Sequence, residues 1–306
     1  METLTIIGAG NVGKSMGRLW ARSKLLEVRH VINRTLESAK CAVEFIGQGQ
    51  PVSRYDEIAP SDWVMISVPD DQIEFVCAQV AELNVLAPGA IVFHCSGSRP
   101  SSLLDPVRRR GCKIASMHPV KSFADPLQAS QTFAQTPCGI EGDDDACLRL
   151  EGLVAASGAK PFRLDGNSKL LYHAGTVMVC NYLTALLETG FRCYEAAGIP
   201  RARAMELAAP IVAETVRNVF KSGTVAALTG PIARGDARLV ADQSLALQQW
   251  DSAASDVYKA LGAIALQLAR EKGAAPEALA SISETIGFES YRTRILFYCG
   301  KLDMTI

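Results

Sequence analysis

A glycine-rich hexapeptide near the start of the chain has the spacing of a turn that binds phosphate groups. It reads Gly8-Ala9-Gly10-Asn11-Val12-Gly13, after the apolar run Leu4–Ile7 and before a helical pattern over Lys14–Arg22. The first glycine allows a tight turn, the second lets the backbone approach a diphosphate, and the third lets helix and strand pack closely. The helix N-terminus adds unpaired N–H groups and the positive end of the helix dipole. We therefore expect a dinucleotide to bind at Gly8, Gly10, Asn11, Val12 and Gly13.

The end of the second predicted strand indicates which nicotinamide nucleotide the chain prefers. An acidic residue at this position accepts hydrogen bonds from a ribose 2′-hydroxyl and repels a 2′-phosphate. Asn33 stands there, 20 residues after Gly13, and Arg34 and Thr35 follow it. Asn33 carries no charge, whereas the guanidinium of Arg34 suits a phosphate group. We expect these three residues to bind NADP rather than NAD; the alternative is that Arg34 is a solvated charge and Asn33 a turn former.

Small and turn-forming residues follow the next two predicted strands. Ser67-Val68-Pro69 ends one of them and His94-Cys95-Ser96-Gly97-Ser98 ends the other. Ligands of such sheets bind outside the carboxyl ends of the strands. We therefore expect Ser67, Val68, Pro69, His94 and Ser96 to line the cofactor site, although a hydrogen bond from His94 to the backbone is an equal alternative.

The composition excludes several classes of protein. The chain has 306 residues, 48% of them hydrophobic, and its 31 basic and 32 acidic residues give a net charge of −1. A chain with this hydrophobicity and so little net charge folds, because it can bury enough apolar surface to offset the entropy of ordering. No excess of positive charge is available to attract a nucleic acid.

Apolar segments and cysteines bear on where the protein works. No basic region precedes the apolar run Leu4–Ile7, so we expect a cytoplasmic protein without a secretory signal. The longest apolar stretch, Ala174–Leu187, amounts to about one half to two thirds of a membrane span and contains Asn181 and Thr184. We expect it to be a buried helix and expect no membrane partner. The nine cysteines form no C-x-x-C pair, so we expect neither a disulfide framework nor a metal site.

The pattern of the chain changes near residue 163. Before it, short β-rich runs alternate with helical segments, which predicts a doubly wound, mostly parallel sheet covered by helices. After Asp165 the periodicity is helical. We expect a Rossmann-like α/β domain over residues 1–163 and an all-helical substrate and dimerisation domain over 164–306. The predicted strands are Thr3–Gly8, Val28–Asn33, Trp63–Ser67, Ala90–His94, Lys113–Met117 and Thr136–Ile140. The predicted later helices are Arg201–Lys221, Ala237–Gln249, Ala254–Lys272 and Pro276–Phe288.

Six short segments stand in a characteristic order along the chain: Gly8–Gly13, Ser67-Val68-Pro69, His94-Cys95-Ser96-Gly97, Met117-His118-Pro119, Tyr172-His173-Ala174 and Gly230-Pro231-Ile232. In this order they resemble a family with a Rossmann-like N-terminal domain and a helical C-terminal domain of unknown function, and the resemblance covers essentially the whole chain. That family is distantly related to pyrroline-5-carboxylate reductases, β-hydroxyacid dehydrogenases and ketopantoate reductases. The resemblance implies an NADP-dependent oxidoreductase, and some members serve as an alternative ketopantoate reductase in pantothenate synthesis.

The reduction of a ketone requires a proton donor near the carbonyl oxygen, and the first long helix of the second domain is the expected place for it. Lys169, His173 and Asn181 fall at spacings of four and eight residues, on approximately one helical stripe. In the related dehydrogenases a Lys-x-x-x-Asn pair on this helix binds and protonates the substrate, and here His173 stands where that asparagine would be. We expect His173 to be the general acid, because the ordinary pKa of histidine is close to neutral. Lys169 is its competitor, Asn181 a hydrogen-bond donor, and the alternative is that His173 and Asn181 are core polar groups.

Three further residues are candidates for the same site. His118 follows the predicted strand Lys113–Met117, so it either touches the substrate or braces the loop. Lys121 and Arg234 are candidates for binding a substrate carboxylate, Arg234 because its planar fork matches that group. The alternatives are a solvated loop lysine and a turn that merely joins two helices.

These residues together predict an NADPH-dependent reductase of a small keto acid, with 2-dehydropantoate (ketopantoate) as the named candidate. The alternatives are an imino-acid reductase of the pyrroline-5-carboxylate type and a non-catalytic NADP-binding sensor. We expect a homodimer, because the second domain has more apolar helices than one layer over a sheet needs and because relatives often dimerise through this domain.

Overall fold

The computed structural model describes residues 1–83 and 85–287. The chain divides into two compact units, Met1–Leu183 and Thr184–Ile306. Eight strands of the first unit form one sheet in the order β3-β2-β1-β4-β5-β6-β7-β8. All neighbouring strands are parallel except β6 and β7. The strands are β1 Thr3–Ile7, β2 Glu27–Ile32, β3 Gln50–Val52, β4 Trp63–Ile66, β5 Ile91–His94, β6 Lys113–Pro119, β7 Pro137–Gly142 and β8 Lys160–Arg163.

Helices cover both faces of this sheet, as the nearly continuous apolar strands require. Alternate residues of β1 enter opposite clusters, with Leu4 and Ile6 in one hydrophobic core and Ile7 in the other. In the first core, the rings of Trp20 and Trp63 each meet Phe93 edge-on at 6.2 Å between centroids. The helices of this unit are α1 Asn11–Arg22, α2 Leu36–Ile46, α3 Ile73–Ala81, α4 Asp105–Arg108, α5 Pro126–Gln131, α6 Asp144–Ala156 and α7 Lys169–Val179.

The second unit is helical over its described residues. Its core is a cluster that includes Val240, Leu266 and Ile282, from three of its helices. The longest helix of the unit has 27 residues and is interrupted at Gly223, whose φ of 80° is not helical. The helices are α8 Asn181–Ala196, which begins at the end of the first unit, α9 Arg201–Ala227, α10 Pro231–Arg234, α11 Ala237–Trp250, α12 Ser252–Glu271 and α13 Pro276–Ile286.

The α/β fold class predicted from the sequence is confirmed, and each of the six predicted strands is present. Two strands were missed, β3 and β8, which form the two edges of the sheet. Both are short and contain a proline, Pro51 and Pro161, so neither shows the apolar run of a central strand. The last strand ends at Arg163, whereas the first compact unit continues to Leu183. The last predicted helix ends at Ile286, and Phe288 lies outside the described residues.

The helix after the sheet differs from the prediction in two ways. It breaks at Cys180, so Asn181 begins α8 instead of continuing the stripe of Lys169 and His173. It is also exposed rather than buried: Lys169 is the only buried residue of α7, and α8 has none. Apolar periodicity identifies a face to be covered but not what covers it, and here no core formed by residues 1–83 and 85–287 covers it. By length and composition alone, the stretch Gly166–Ala196 is apolar enough to cross a membrane, a test that core helices of soluble proteins also pass.

Candidate functional site

The glycine turn lies at the carboxyl end of β1, where β2 and β4 flank it on either side. Gly8 has a φ of +86°, which favours glycine, and its amide donates to the carbonyl of Ile32 at 2.8 Å. A Cβ on Gly8 would lie 2.5 Å from a methyl carbon of Val68. The hydroxyl of Ser67 donates to the carbonyl of Gly8 at 2.7 Å. Ser67 and Val68, both predicted cofactor residues, therefore hold the turn from the end of β4.

The start of α1 is open. No side chain caps it, and a Cβ on Gly10 would meet no atom within 4 Å. Gly13, by contrast, faces the hydroxyl of Ser67, and a Cβ there would lie 2.8 Å from the carbonyl of Gly8. Uncapped amides beside an open glycine form a place for an anion, and the diphosphate of a dinucleotide fits these features.

The residues after β2 brace the turn from the other side. The side-chain oxygen of Asn33 accepts from the amide of Ala9 at 2.6 Å, and its NH₂ group donates to Ser38 at 2.9 Å. The Thr35 hydroxyl caps α2 by accepting from the amide of Ser38 at 3.2 Å. Arg34 is exposed and forms no ion pair with any residue that the structure describes. Its guanidinium is accordingly available to a ligand.

Serine hydroxyls join the loops after β4 and β5. One oxygen of Asp70 accepts from the hydroxyls of Ser96 and Ser98, each at 2.7 Å. Pro69 starts the short 3₁₀ turn Asp70–Gln72 that carries this carboxylate. The contacts of the glycine turn with Ser67 and Val68 thus continue along β4 and β5 to the Ser96–Ser98 loop.

His94 lies beneath this loop and is fully buried. Its Nδ1 accepts from the amide of Ser96 at 3.2 Å, so the proton is on Nε2, which donates to the carbonyl of Pro100 at 3.1 Å. Burial and then the charge of Lys169 lower the pKa of His94 to about 4, so the ring is neutral at physiological pH. His94 braces the backbone, the second of its two predicted roles, because its ring has no exposed edge to offer a cofactor.

Two histidines and a tyrosine meet at the next strand end. His118 Nδ1 lies 2.9 Å from the hydroxyl of Tyr172, and the rings of His118 and His173 are 5.8 Å apart between centroids. Both imidazoles press against Gly97, where a Cβ would lie 2.5 Å from His173 Cδ2 and 2.7 Å from His118 Nε2. Burial, His173 and Lys169, in that order, lower the pKa of His118 to about 4. His118, His173 and Tyr172 are called the histidine cluster below.

Lys169 lies in the same unit but faces inward. Its ammonium donates to the carbonyl of Ser96 at 2.9 Å and to the hydroxyl of Ser116, and it pairs with Glu141 at 3.4 Å. The residue is 0% exposed. Burial lowers the pKa of Lys169, an effect that Glu141 opposes. A substrate above the histidine cluster therefore has no open path to this ammonium.

The remaining predicted site residues are Lys121, Asn181 and Arg234. The ammonium of Lys121 donates to the carbonyl of Thr132 at 3.0 Å, so it is already engaged. Asn181 is exposed at the start of α8. Arg234 ends the short helix α10 of the second unit and is exposed, so its role stays a prediction.

The residues that the sequence reasoning missed act through long-range contacts. Tyr172, Gly97, Asp70 and Glu141 are separated by tens of residues along the chain, and only the order of the strands and the packing of α7 bring them together. Gly97 carried a signal in principle, because a glycine beside two polar strand-end residues often marks a close approach of backbone to a ligand or side chain.

Two family models match the chain. Residues 2–119 match the Rossmann-like domain, and residues 136–265 match DUF2520, a domain of unknown function. The fold and the open glycine turn thus define a Rossmann-like chain. More particularly, it carries a Rossmann-like domain followed by a DUF2520 domain, which confirms the resemblance seen in the sequence.

Solved structures share this fold. A protein from Thermotoga maritima has a TM-score of 0.68 at 23% identity, covering 88% of this chain and 99% of that one. A putative NADP oxidoreductase from Bacteroides fragilis has a TM-score of 0.68 at 19% identity, covering 85% and 96%. A 1-pyrroline-5-carboxylate reductase from Streptococcus pyogenes has a TM-score of 0.57 at 16% identity, covering 86% and 98%. At these identities the likeness establishes the fold. No curated protein sequence matches the chain.

Alanine at two glycines of the turn separates ligand binding from packing. We expect Gly10→Ala to leave the melting temperature nearly unchanged, because its Cβ meets open space, and to weaken the binding of a nicotinamide dinucleotide at least about tenfold by blocking the diphosphate. We expect Gly13→Ala to cost about 1–3 kcal/mol of unfolding free energy, because its Cβ collides with backbone. Fluorescence titration with NADH and NADPH and thermal unfolding measure the two effects. Unweakened dinucleotide binding by Gly10→Ala would show that the turn does not hold the diphosphate.

Proposed function

We propose that the chain is an NADPH-dependent reductase of a small keto acid, with 2-dehydropantoate as the candidate substrate. The observation that carries the proposal is the series of contacts along the carboxyl ends of the parallel strands. It leads from the open glycine turn through Ser67 and Val68 to Asp70, on to the Ser96–Ser98 loop, and ends at the histidine cluster. A dinucleotide anchored at α1 and laid along these strand ends reaches toward the histidines, as expected for ligands of such sheets.

The chain supplies the groups that hold the cofactor and the proton. Gly10 and the first amides of α1 would hold the diphosphate of the cofactor, and Ser67 keeps the turn in place. The reduced nicotinamide would supply the hydride for the carbonyl carbon and would itself be oxidised. His173, on α7, gives a proton to the carbonyl oxygen, so that the keto acid becomes a hydroxy acid. His118 is neutral at physiological pH and holds Tyr172, the neighbour of His173, by its hydrogen bond.

The preference for NADP rests on the residues after β2. An exposed guanidinium on Arg34, next to the hydroxyls of Thr35 and Ser38, suits a 2′-phosphate. Asn33 uses its oxygen to hold the turn and presents no carboxylate to repel that phosphate.

Arg34→Ala tests this preference. We expect the KM for NADPH to rise about tenfold or more and the KM for NADH to stay within about twofold, because only the 2′-phosphate loses a partner. Arg109→Ala removes an exposed arginine elsewhere in the same unit and serves as the control, with both values unchanged. A preference for NADH that survives Arg34→Ala would contradict the proposal.

The substrate and the proton donor are tested together. We expect the wild-type protein to oxidise NADPH with ketopantoate or a related keto acid, and His173→Ala to lower kcat about 100-fold or more while NADPH still binds, because the general acid is lost. Stopped-flow absorbance and fluorescence titration measure the two quantities.

The same assay with cyclic imines separates the alternatives. Turnover of imines alone would identify an imino-acid reductase, and tight NADPH binding without any turnover would identify a sensor. An unchanged kcat in His173→Ala would exclude His173 as the acid.

We also propose that the protein is a homodimer formed through α9. In that 27-residue helix only Ala204 and Ala208 are buried, while Phe220 is 88% and Ile211 is 61% exposed. The part of the helix before the interruption at Gly223, residues 201–222, is about 33 Å long, and a copy packed along such a length covers on the order of 1,000 Å². Its six charged residues, at positions 201, 203, 206, 214, 217 and 221, favour a protein partner over a lipid bilayer.

Phe220→Glu tests the dimer, because it places a charge on this face without disturbing the core. We expect the mass by light scattering at micromolar concentration to fall from twice 32.8 kDa to 32.8 kDa. Phe75→Glu is the matched control: this phenylalanine of α3 is 60% exposed, and its change leaves the dimer intact. A monomeric wild-type protein would refute the proposal.

A further inference from the structure

The Lys169 ammonium joins three neighbouring strands of the first unit. Its acceptors are the carbonyl of Ser96 after β5, the hydroxyl of Ser116 on β6, and the carboxylate of Glu141 on β7. Ser116 and Glu141 are direct partners in the antiparallel pairing of β6 and β7. A lysine this deeply buried is rare unless it is paired. Here the pairing is complete, since three acceptors surround the three N–H bonds.

Glu141 extends the contacts of Lys169 to the other end of one loop. Its two oxygens accept from the amide and from the hydroxyl of Ser101, each at 2.7 Å. Lys169 holds the start of the segment at the carbonyl of Ser96, and Glu141 holds its end at Ser101. Gly97, which touches both histidine rings, lies between these two anchors.

Lys169 also fixes the helix that carries two members of the histidine cluster. It is the first residue of α7, and His173 follows one helical turn later on the same face, with Tyr172 beside it. The ion pair therefore fixes the loop below the imidazoles and the helix above them.

We propose that Lys169 and Glu141 are positioning residues that set the geometry of the histidine cluster, and that Lys169 does not give its proton to the substrate. This inference rests on the proposed reductase function. A buried ion pair contributes little net stability, but the loss of one partner leaves an uncompensated charge inside the protein. Two apolar residues in place of Lys169 and Glu141 would suffice for stability. The ion pair is explained by its second effect, which is to hold the histidines in place.

The charge of Lys169 affects a measurable quantity, the pKa of His118. Lys169 and His173 both act on His118 and disfavour its charged form, whereas Asp70 favours it; Tyr172 is its hydrogen-bond partner. Removal of the ammonium takes away one of the effects that keep the pKa of His118 near 4. We therefore expect Lys169→Met to raise the pKa of His118 toward the ordinary value for histidine.

The experiment follows the ring signals of the four histidines by NMR across pH, with His118 assigned through His118→Gln. We expect the His118 titration to move upward in Lys169→Met, and kcat to fall about tenfold or more with the KM for NADPH unchanged. Glu141→Gln keeps the lysine and is expected to perturb the His118 and His173 signals and to lower kcat as well. Glu151→Gln breaks an exposed pair with Arg163 and is the control, with no change in titration or kcat.

The double variant Lys169→Met/Glu141→Leu keeps the test decisive where a single variant fails to fold, because removal of both charges leaves neither one unpaired. It is expected to show the same upward shift of His118. An unchanged His118 titration in the folded variants, together with full loss of turnover in Lys169→Met alone, would overturn the proposal and make Lys169 the acid. The NMR measurement needs no substrate, so a wild-type protein without reductase activity would refute the proposed function but not the positioning role.

Discussion

The burial of one ammonium group is the constraint on which the candidate site depends. Transfer of a lysine charge from water to a protein interior costs several kcal/mol, and the cost is offset only when the acceptors are in place. Lys169 meets this condition because Glu141 stands opposite Ser116 in the antiparallel pair of β6 and β7. The hydroxyl oxygen of Ser116 and one carboxylate oxygen of Glu141 therefore accept from the same ammonium. Strand β7, which runs antiparallel to β6, thus has a specific role in the sheet. It carries the Glu141 carboxylate that allows Lys169, the first residue of α7, to be buried.

The two ends of the site differ in how far the sequence predicts them. The glycine turn is local: Gly8 and Gly13 lie within one strand, turn and helix, and each glycine has a spacing with a physical meaning. The histidine cluster is not local, because residues 97, 118 and 172 meet only after β5, β6 and α7 are in place. Sequence reasoning could name His118 and His173 as candidates from their residue type. It could not pair His118 with Tyr172, or find Glu141, because no pattern along the chain encodes a contact across a sheet.

The helices after the sheet show a second reason why sequence reasoning is incomplete. The hydropathy of Ala174–Leu187 shows that the helix surface is apolar. Whether that surface is buried depends on which other elements pack against it, and the local sequence does not give this. The first unit anchors α7 through Lys169 and leaves its apolar residues exposed, among them Leu170 and Leu171. The residue at the break is a cysteine, Cys180, and not one of the usual helix breakers proline and glycine, so nothing in the local sequence predicts the break. The break matters for chemistry, since it separates Asn181 from the stripe of Lys169 and His173 on which its predicted role was based.

The charge balance of the chain limits how an acidic substrate would be held. With a net charge of −1 over 306 residues, no long-range positive field draws anions to the protein, and local groups must do so. Lys169, predicted as a competing proton donor, is paired with Glu141, and Lys121, predicted to bind a substrate carboxylate, is engaged with the carbonyl of Thr132. Two of the anion-binding groups that are open in this unit, the α1 N-terminus and Arg34, lie at the turn and after β2, where they suit the phosphates of a dinucleotide. Arg234, which the sequence predicts to bind a substrate carboxylate, belongs to the second unit, so its role stays a prediction.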